Sequence, residues 1–264
     1  MKRKLELWAY QARKFRPLVK ELIKRDLKVK YRRSFLGYVW SLLNPLLMMA
    51  VMSLVFSHFF RFQMEGVSYP LYLICGQTLF NFFNESTNQS MFAILGNATL
   101  LKKVYIPKFI FPLARTLSSF VTMSFSLGAI VIVIPFTGTP ITPYILLFWV
   151  PLVFLFLFSC GVGLVLSALS VYFRDITHLY SVVILAWMYF TPIFYPTTII
   201  PDHLSLLFKL NPLYHFIAFF RDTVVYGCMP SSATWLGCAV PGVVVFLLGF
   251  LIFRKLQKNF ILYI

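Results

Sequence analysis

A dense run of cations feeds straight into a long apolar stretch at residues 25–49, RDLKVKYRRSFLGYVWSLLNPLLMM. Lys28, Lys30, Arg32 and Arg33 crowd the last turns before an apolar segment running from about residue 35 to 60. A bilayer core needs ~20 mostly apolar residues at 1.5 Å each, so this segment is long enough to cross. The cations hold its near end on the cytoplasmic side. The rest of the chain answers to the same solvent. Of its 264 residues 59% are hydrophobic and 12% charged, where a soluble domain has about 25% charged. A polytopic membrane protein is expected, not a large soluble core.

A net charge of +16 would point to nucleic acid in a soluble chain. Its placement decides otherwise. Thirteen of the 24 Lys and Arg precede residue 34, and no basic stretch carries a base-reading element. Orientation and attraction to anionic headgroups account for the charge, so membrane lipids and no nucleic acid are the expected partners. No cleavable signal is expected, because the first apolar segment is too long for a signal core and lies more than thirty residues in. Cys75, Cys160, Cys228 and Cys238 lack metal-ligand spacing, so no metal is expected. Small buried hydrophobes is a better reading for them than a Cys228–Cys238 disulfide.

The predicted fold class is all-α: one transmembrane domain over 1–264, with an interface helix in 1–34, a six-span bundle in 35–254 and a tail in 255–264. Residues 4–30 read as a basic amphipathic helix lying in the headgroup plane. Leu5, Trp8, Ala12, Phe15, Val19, Leu22 and Ile23 recur near helical spacing, and Pro17 should kink or split the helix. Spans are placed near 35–60, 69–96, 112–135, 144–171, 176–195 and 234–254. PFTGTPITP at 135–143 forces a tight hairpin. Between spans five and six, apolar pieces at 203–210 and 213–225 sit among prolines. They read as two short re-entrant helices, or as two helices lying flat at the interface. With both termini cytoplasmic, 21 of the 24 basic residues fall inside and only Arg61, Lys209 and Arg221 outside.

The second span is unusual. Gln77, Asn81, Asn84 and Asn88 share one helix face, and Glu85 sits among them. A carboxylate in mid-bilayer costs ~2.5 kcal/mol or more, so this face must meet protein or water. It is either the wall of a hydrated path or a set of interhelical hydrogen bonds. No second intramembrane acid or histidine relay accompanies Glu85, and the sequence holds no G-x-x-x-x-G-K-[ST] loop to cradle ATP. Uphill transport would therefore draw its energy from another chain. Aromatic clusters at Tyr38/Trp40 and at Trp187/Tyr189/Phe190/Tyr195 either form interfacial belts or line a passage on which sugar rings slide.

Four segments in register resemble the permease subunits of polysaccharide-exporting ABC transporters, the type-2 exporters of O-antigen and teichoic-acid chains. They are the basic entry at 25–49, NATLLKKVYIPKFIFP at 97–112, VYFRDI at 171–176, and WMYFTPIFYPTTIIP with LNPLYHFIAFFRD at 187–201 and 210–222. The resemblance covers nearly the whole chain. It implies a permease, not an enzyme, in the inner (plasma) membrane, working as a homodimer with two nucleotide-binding ATPase subunits on a lipid-linked polysaccharide. No cofactor is expected in this chain; ATP and Mg belong to the ATPase. The loop holding Thr99, Leu100, Leu101, Lys102, Lys103, Val104, Tyr105 and Pro107 becomes the coupling helix docked on that ATPase. Arg25, Lys28, Lys30, Arg32 and Arg33 sit where a lipid pyrophosphate would arrive, although topology alone explains them equally well. A type-2 exporter of drugs or small lipids shares the fold. A membrane-embedded transferase would need a His/Asp/Glu cluster at one face.

Overall fold

A computed structural model describes the backbone of residues 2–32, 34–59 and 67–263, and the side chains of 14–32, 34–56 and 67–263. The described residues are all-helical. In chain order the helices are α1 (Lys2–Lys30), α2 (Trp40–Phe59), α3 (Tyr69–Met91), α4 (Ala98–Lys103), α5 (Ile110–Thr137), α6 (Trp149–Tyr172), α7 (Ile176–Tyr189), α8 (Asp202–Lys209), α9 (Pro212–Val224), α10 (Ser232–Leu256) and α11 (Phe260–Tyr263).

Among the described residues four stretches are long and apolar enough to cross a membrane: Gly37–Phe56, Ile110–Thr137, Pro143–Tyr172 and Ser232–Tyr263. The α3 helix is long but carries the polar stripe, and α7 is short because Pro192 stops the chain from continuing as helix. The fifth apolar segment therefore ends at Tyr189, six residues before the expected 195.

Packing makes α3 the central helix. Every residue from 71 to 80 is buried, because α5 and α6 flank it and α2 and α9 close its remaining sides. The α6 and α10 helices pack closest of all. A Cβ on Gly161 would strike the Val245 carbonyl, and one on Gly249 would strike the Gly161 carbonyl, so only glycine lets these backbones touch. The 135–143 turn forms as expected, with Gly138 ending α5 at φ 66°, a conformation in which glycine has no Cβ to clash.

Three expectations change in detail. Pro17 does not split the amphipathic helix, which runs unbroken as α1. The second apolar segment leaves the helix at Met91 and finishes in a tight turn at Leu95–Asn97. The two short helices between α7 and α10 also differ from each other: α8 buries no residue, whereas α9 buries Leu213, Phe216, Ile217, Phe219, Phe220 and Arg221 against its neighbours.

Candidate functional site

Polar chemistry gathers at the two ends of the bundle. At the α1 end the organising residue is Asp26, which lies on the apolar side of α1 in line with Val19, Leu22 and Ile23. Leu22 packs into a small core with Ile94, Phe111 and Phe253, and this draws Asp26 under the bundle, where 9% of it stays exposed. Buried carboxylates persist only when paired. Asp26 Oδ1 accepts from Arg115 Nη1 at 3.0 Å and from Arg25 Nη2 at 3.1 Å. Ser118 Oγ reaches Oδ2 at 3.5 Å. Arg25 turns its other arm, Nη1, to Asn97 Oδ1 at 3.1 Å. One turn further along α1, Lys30 Nζ donates to Glu85 Oε1 at 2.7 Å, and Gln89 Nε2 donates to the same oxygen at 2.9 Å. Three of the four ion pairs among the described residues sit here, and two of them bind α1 to α3 or α5.

Between these pairs lies an open cleft of about 430 Å³, lined by Asp26, Val29, Lys30, Glu85, Gln89 and Arg115. Glu85 also borders a narrow slot of about 30 Å³ that runs up between α2, α3 and α5 past Asn81, Thr78, Ser119, Thr122 and Ser126. The Thr78 hydroxyl is buried there without a protein partner. About 10–15 Å³ holds one water, so the slot has room to hydrate it.

The predicted stripe thus divides. Asn81 and Glu85 border the slot. Asn88 Nδ2 donates to Asn84 Oδ1 at 2.6 Å, and Gln77 is buried with its Oε1 unpartnered. The flanking Ser86, Thr87 and Ser90 turn inward, where Tyr180 donates to Thr87 Oγ1 at 2.6 Å and Ser90 meets Thr116 Oγ1 at 3.1 Å. Thr87 and Ser90 bond between helices, Ser86 bonds back to the Phe83 carbonyl within α3, and the slot belongs to the other face. Of the expected headgroup cations, Arg25 and Lys30 are engaged by carboxylates, Lys28 and Arg32 are exposed, and Arg33 lies outside the described residues.

The basic loop also lies at the α1 end. Leu100 and Leu101 pack beneath the small core, while Thr99, Lys102, Lys103 and Val104 are exposed, Tyr105 is 95% exposed and Pro107 is half-buried. The α4 helix in this loop is six residues long, less than two turns. Asn97 precedes it without capping it, because its side chain is committed to Arg25 and to the Ala93 carbonyl. Lys108 donates to the Gln257 carbonyl at 2.6 Å, and partial burial holds its pKa below the usual lysine value.

At the opposite end the organising residue is Arg221, 3% exposed on α9 and, among the described residues, without a carboxylate partner. Its Nε and Nη2 donate to the Tyr72 carbonyl at 3.2 and 3.0 Å. Nη1 donates to Pro192 O at 2.7 Å, and Nη2 also donates to Ile193 O at 3.0 Å. The guanidinium lies 3.3 Å from the centre of the Tyr72 ring. Asn211 makes a second knot. It caps α9 by accepting from Leu213 N at 3.0 Å, accepts from Trp187 Nε1 at 2.8 Å, and donates to Thr191 Oγ1 at 2.9 Å. Trp187 is therefore packed between Phe83 and Phe158. Tyr189 and Phe190 are exposed, Phe190 stacking on Phe208 at 4.7 Å. Tyr195 donates to the Tyr189 carbonyl at 2.8 Å. At the other end Tyr38 and Trp40 are exposed, with Tyr38 5.0 Å from the Tyr31 ring.

A family profile described as ABC-2 type transporter matches residues 17–225, most of the chain, including Asp26, Glu85, Arg115, Asn211 and Arg221. The chain belongs to the ABC-2 type transporter family. Full-length similarity to curated relatives agrees. An O-antigen export system permease protein RfbA of Klebsiella pneumoniae is 30% identical over 239 residues, covering 89% of this chain and 90% of the relative. A protein of the same name from Myxococcus xanthus is 28% identical over 93% of the chain and 95% of the relative. The polysialic acid transport protein KpsM of Escherichia coli is 22% identical over 91% of the chain and 93% of the relative.

Sequence reasoning about this ABC-2 permease missed the pairing of Asp26 with Arg115, the knot at Asn211 and the burial of Arg221. A signal existed for two of them. Asp26 and Arg221 each put a charge on the apolar face of an amphipathic helix, a position that solvent cannot satisfy.

Proposed function

We propose that the chain is the permease of an ATP-driven exporter that moves a lipid-linked polysaccharide, O-antigen-like or teichoic-acid-like, across the inner (plasma) membrane. The observation carrying this reading is similarity along nine-tenths of the chain to proteins named for O-antigen export. In this reading α2, α3, α5, α6, α7 and α10 are the six spans and both termini are cytoplasmic, so the α1 end is the inner face. The loop from Thr99 to Pro107, basic and largely exposed, docks on a separate ATPase subunit. Energy enters there, because no phosphate-cradling loop occurs in the sequence.

The functional unit is a homodimer with two ATPases. Six helices enclose too little space for a hydrated polymer, whereas two bundles can form a channel at their interface. The uncovered apolar faces of α2 (Leu47, Met48, Val51) and α7 (Leu179, Val182, Val183) support that pairing. The α9 helix dips back from the outer face and α8 lies flat on it, which suits their unequal burial. A pyrophosphate headgroup reaching the inner cleft would compete with Glu85 for Lys30 and with Asp26 for Arg25. It would gather Lys28, Arg32 and Arg33 as well. The polar face of α3 with Tyr38, Trp40 and the Tyr189–Tyr195 aromatics lines the way out.

The test is reconstitution. The permease co-expressed with its ATPase should purify as a complex whose ATP turnover rises with lipid-linked glycan. Arg25, Arg32 and Arg33 changed together to Gln should lose that stimulation while the complex still assembles. A permease that captures no ATPase, or turnover indifferent to the glycan, rejects the reading.

A further inference from the structure

The outer knot encloses a pocket that the transport reading leaves unused. It has about 110 Å³ of room and is lined by Tyr72, Thr197, Tyr214, Arg221, Asp222 and Tyr226 among others. From this we infer that the pocket is a subsite for a single neutral sugar ring at the outer mouth of the permease, an inference that rests on the polysaccharide-export reading.

Its chemistry is what singles out that ligand. Four of the five guanidinium N–H groups of Arg221 are spent on carbonyls, leaving one on Nη1. Among the described residues no hydrogen bond or ion pair engages the Asp222 carboxylate or the hydroxyls of Tyr214 and Tyr226, although both hydroxyls lie close enough to Asp222 to feel its charge. The pocket therefore offers a charged acceptor, a spare cationic donor and two hydroxyls that act either way. A vicinal pair of sugar hydroxyls needs this mixture, since each hydroxyl donates once and accepts twice. The tyrosine rings supply flat faces against which the C–H side of a pyranose can lie. An anion is disfavoured by Asp222, which lines the wall beside the arginine. A metal ion has no cluster of ligating side chains here. An apolar ligand would strand the carboxylate and hydroxyls without water. Size agrees, because at about 10–15 Å³ per water the space holds roughly seven to eleven waters, room for one edge of a ring.

Rigidity makes the pocket a site and not a surface dip. Arg221 pins the α3 backbone at Tyr72 and the turn at Pro192–Ile193 to α9, so three walls are fixed relative to one another. The Tyr72 hydroxyl adds a bond to the Tyr195 carbonyl at 3.0 Å. A preorganised site gives up little entropy when a weakly bound ring arrives and leaves. Rapid release suits a position that a repetitive chain must pass.

The experiment uses the full-length permease in lipid nanodiscs, titrated with the methyl glycosides of glucose, galactose and mannose, with glucuronate and with inorganic phosphate. Binding is read by saturation-transfer NMR. At least one neutral glycoside should bind, and Asp222→Asn should weaken it about tenfold or more through loss of the charged acceptor. Tyr214→Phe should weaken it less and melt as the wild type does, which covers the case of an Asp222→Asn protein that does not fold. Asp202→Asn on exposed α8 should bind unchanged. The subsite is overturned by an absence of neutral-sugar binding, by preference for phosphate or glucuronate, or by Tyr214→Phe binding like wild type. Surface display of glycan is scored in the same strains. Display without binding removes this subsite alone, whereas a permease that never supports display removes the export reading as well.

Discussion

Replacing Arg221 with lysine keeps the charge and discards the fork, which separates two accounts of this buried cation. If a positive charge is all that the outer knot requires, lysine should serve. The geometry argues that it cannot. Three carbonyls, those of Tyr72, Pro192 and Ile193, are held by four N–H groups that radiate in one plane, and the same plane lies 3.3 Å from the centre of the Tyr72 ring. An ammonium is a point with three donors and is more strongly hydrated than a guanidinium, so burying it costs more and it reaches fewer carbonyls. Losing two of the four bonds, at ~1.5–3 kcal/mol for each hydrogen bond to a charged group, gives a loss of about 3–6 kcal/mol. For a chain of this size, at ~2–4 °C per kcal/mol, that is a fall of roughly 6–24 °C in Tm. Arg221→Met should do less harm. It strands the Ile193 carbonyl but also removes the desolvation cost of the charge, for a net loss of about 2–3 kcal/mol. The assay is thermal unfolding in nanodiscs followed by intrinsic fluorescence, with accessibility of a cysteine placed at Thr197 as the local readout. A lysine variant melting with the wild type, above the methionine variant, would refute the reasoning.

Charge reversal at the inner cleft is a second prediction. Lys30→Glu or Glu85→Lys alone should destabilise the α1 contact, and the double reversal should restore about 1 kcal/mol in a double-mutant cycle, the modest value that pairs about a third exposed provide. Gly249→Ala drives a Cβ into the Gly161 carbonyl and should cost about 1–3 kcal/mol or more by thermal melt, whereas Gly96→Ala, with open space around it, should leave Tm unchanged. Tyr105→Ala removes a side chain that touches almost nothing within the permease, so stability should stay within about 0.5 kcal/mol while capture of the ATPase in pull-downs falls.

Much of the architecture was readable without coordinates, and the reasons are physical. Hydropathy over twenty-residue windows marks what can face lipid, so α2, α5, α6 and α10 were found within a few residues. Proline and glycine punctuate backbone conformation directly, so the 135–143 turn and the break before the 213–225 piece that becomes α9 followed from local chemistry. Continuity through Pro17 did not follow, since tertiary packing can override a local preference, and Phe15, Leu18, Val19 and Leu22 around it pack on the bundle. The stripe on α3 was visible as a period, yet a period cannot say which of two polar faces meets water. Glu85 and Asn81 border the slot, while Thr87 and Ser90 close on Tyr180 and Thr116.

What the amino-acid order determined alone is the partition between lipid and water. Burial of apolar surface is a sum over neighbours in the chain, and the cations ahead of residue 34 need no partner to stay at an aqueous face. What the tertiary structure decided is the pairing of charges that the chain puts far apart. Asp26 finds Arg115, Lys30 finds Glu85, and Arg221 finds the carbonyl of Tyr72, 149 positions away. Hydrogen bonds act over about 3 Å and depend on angle. No pattern along the chain encodes such distances until helix packing has brought the groups together.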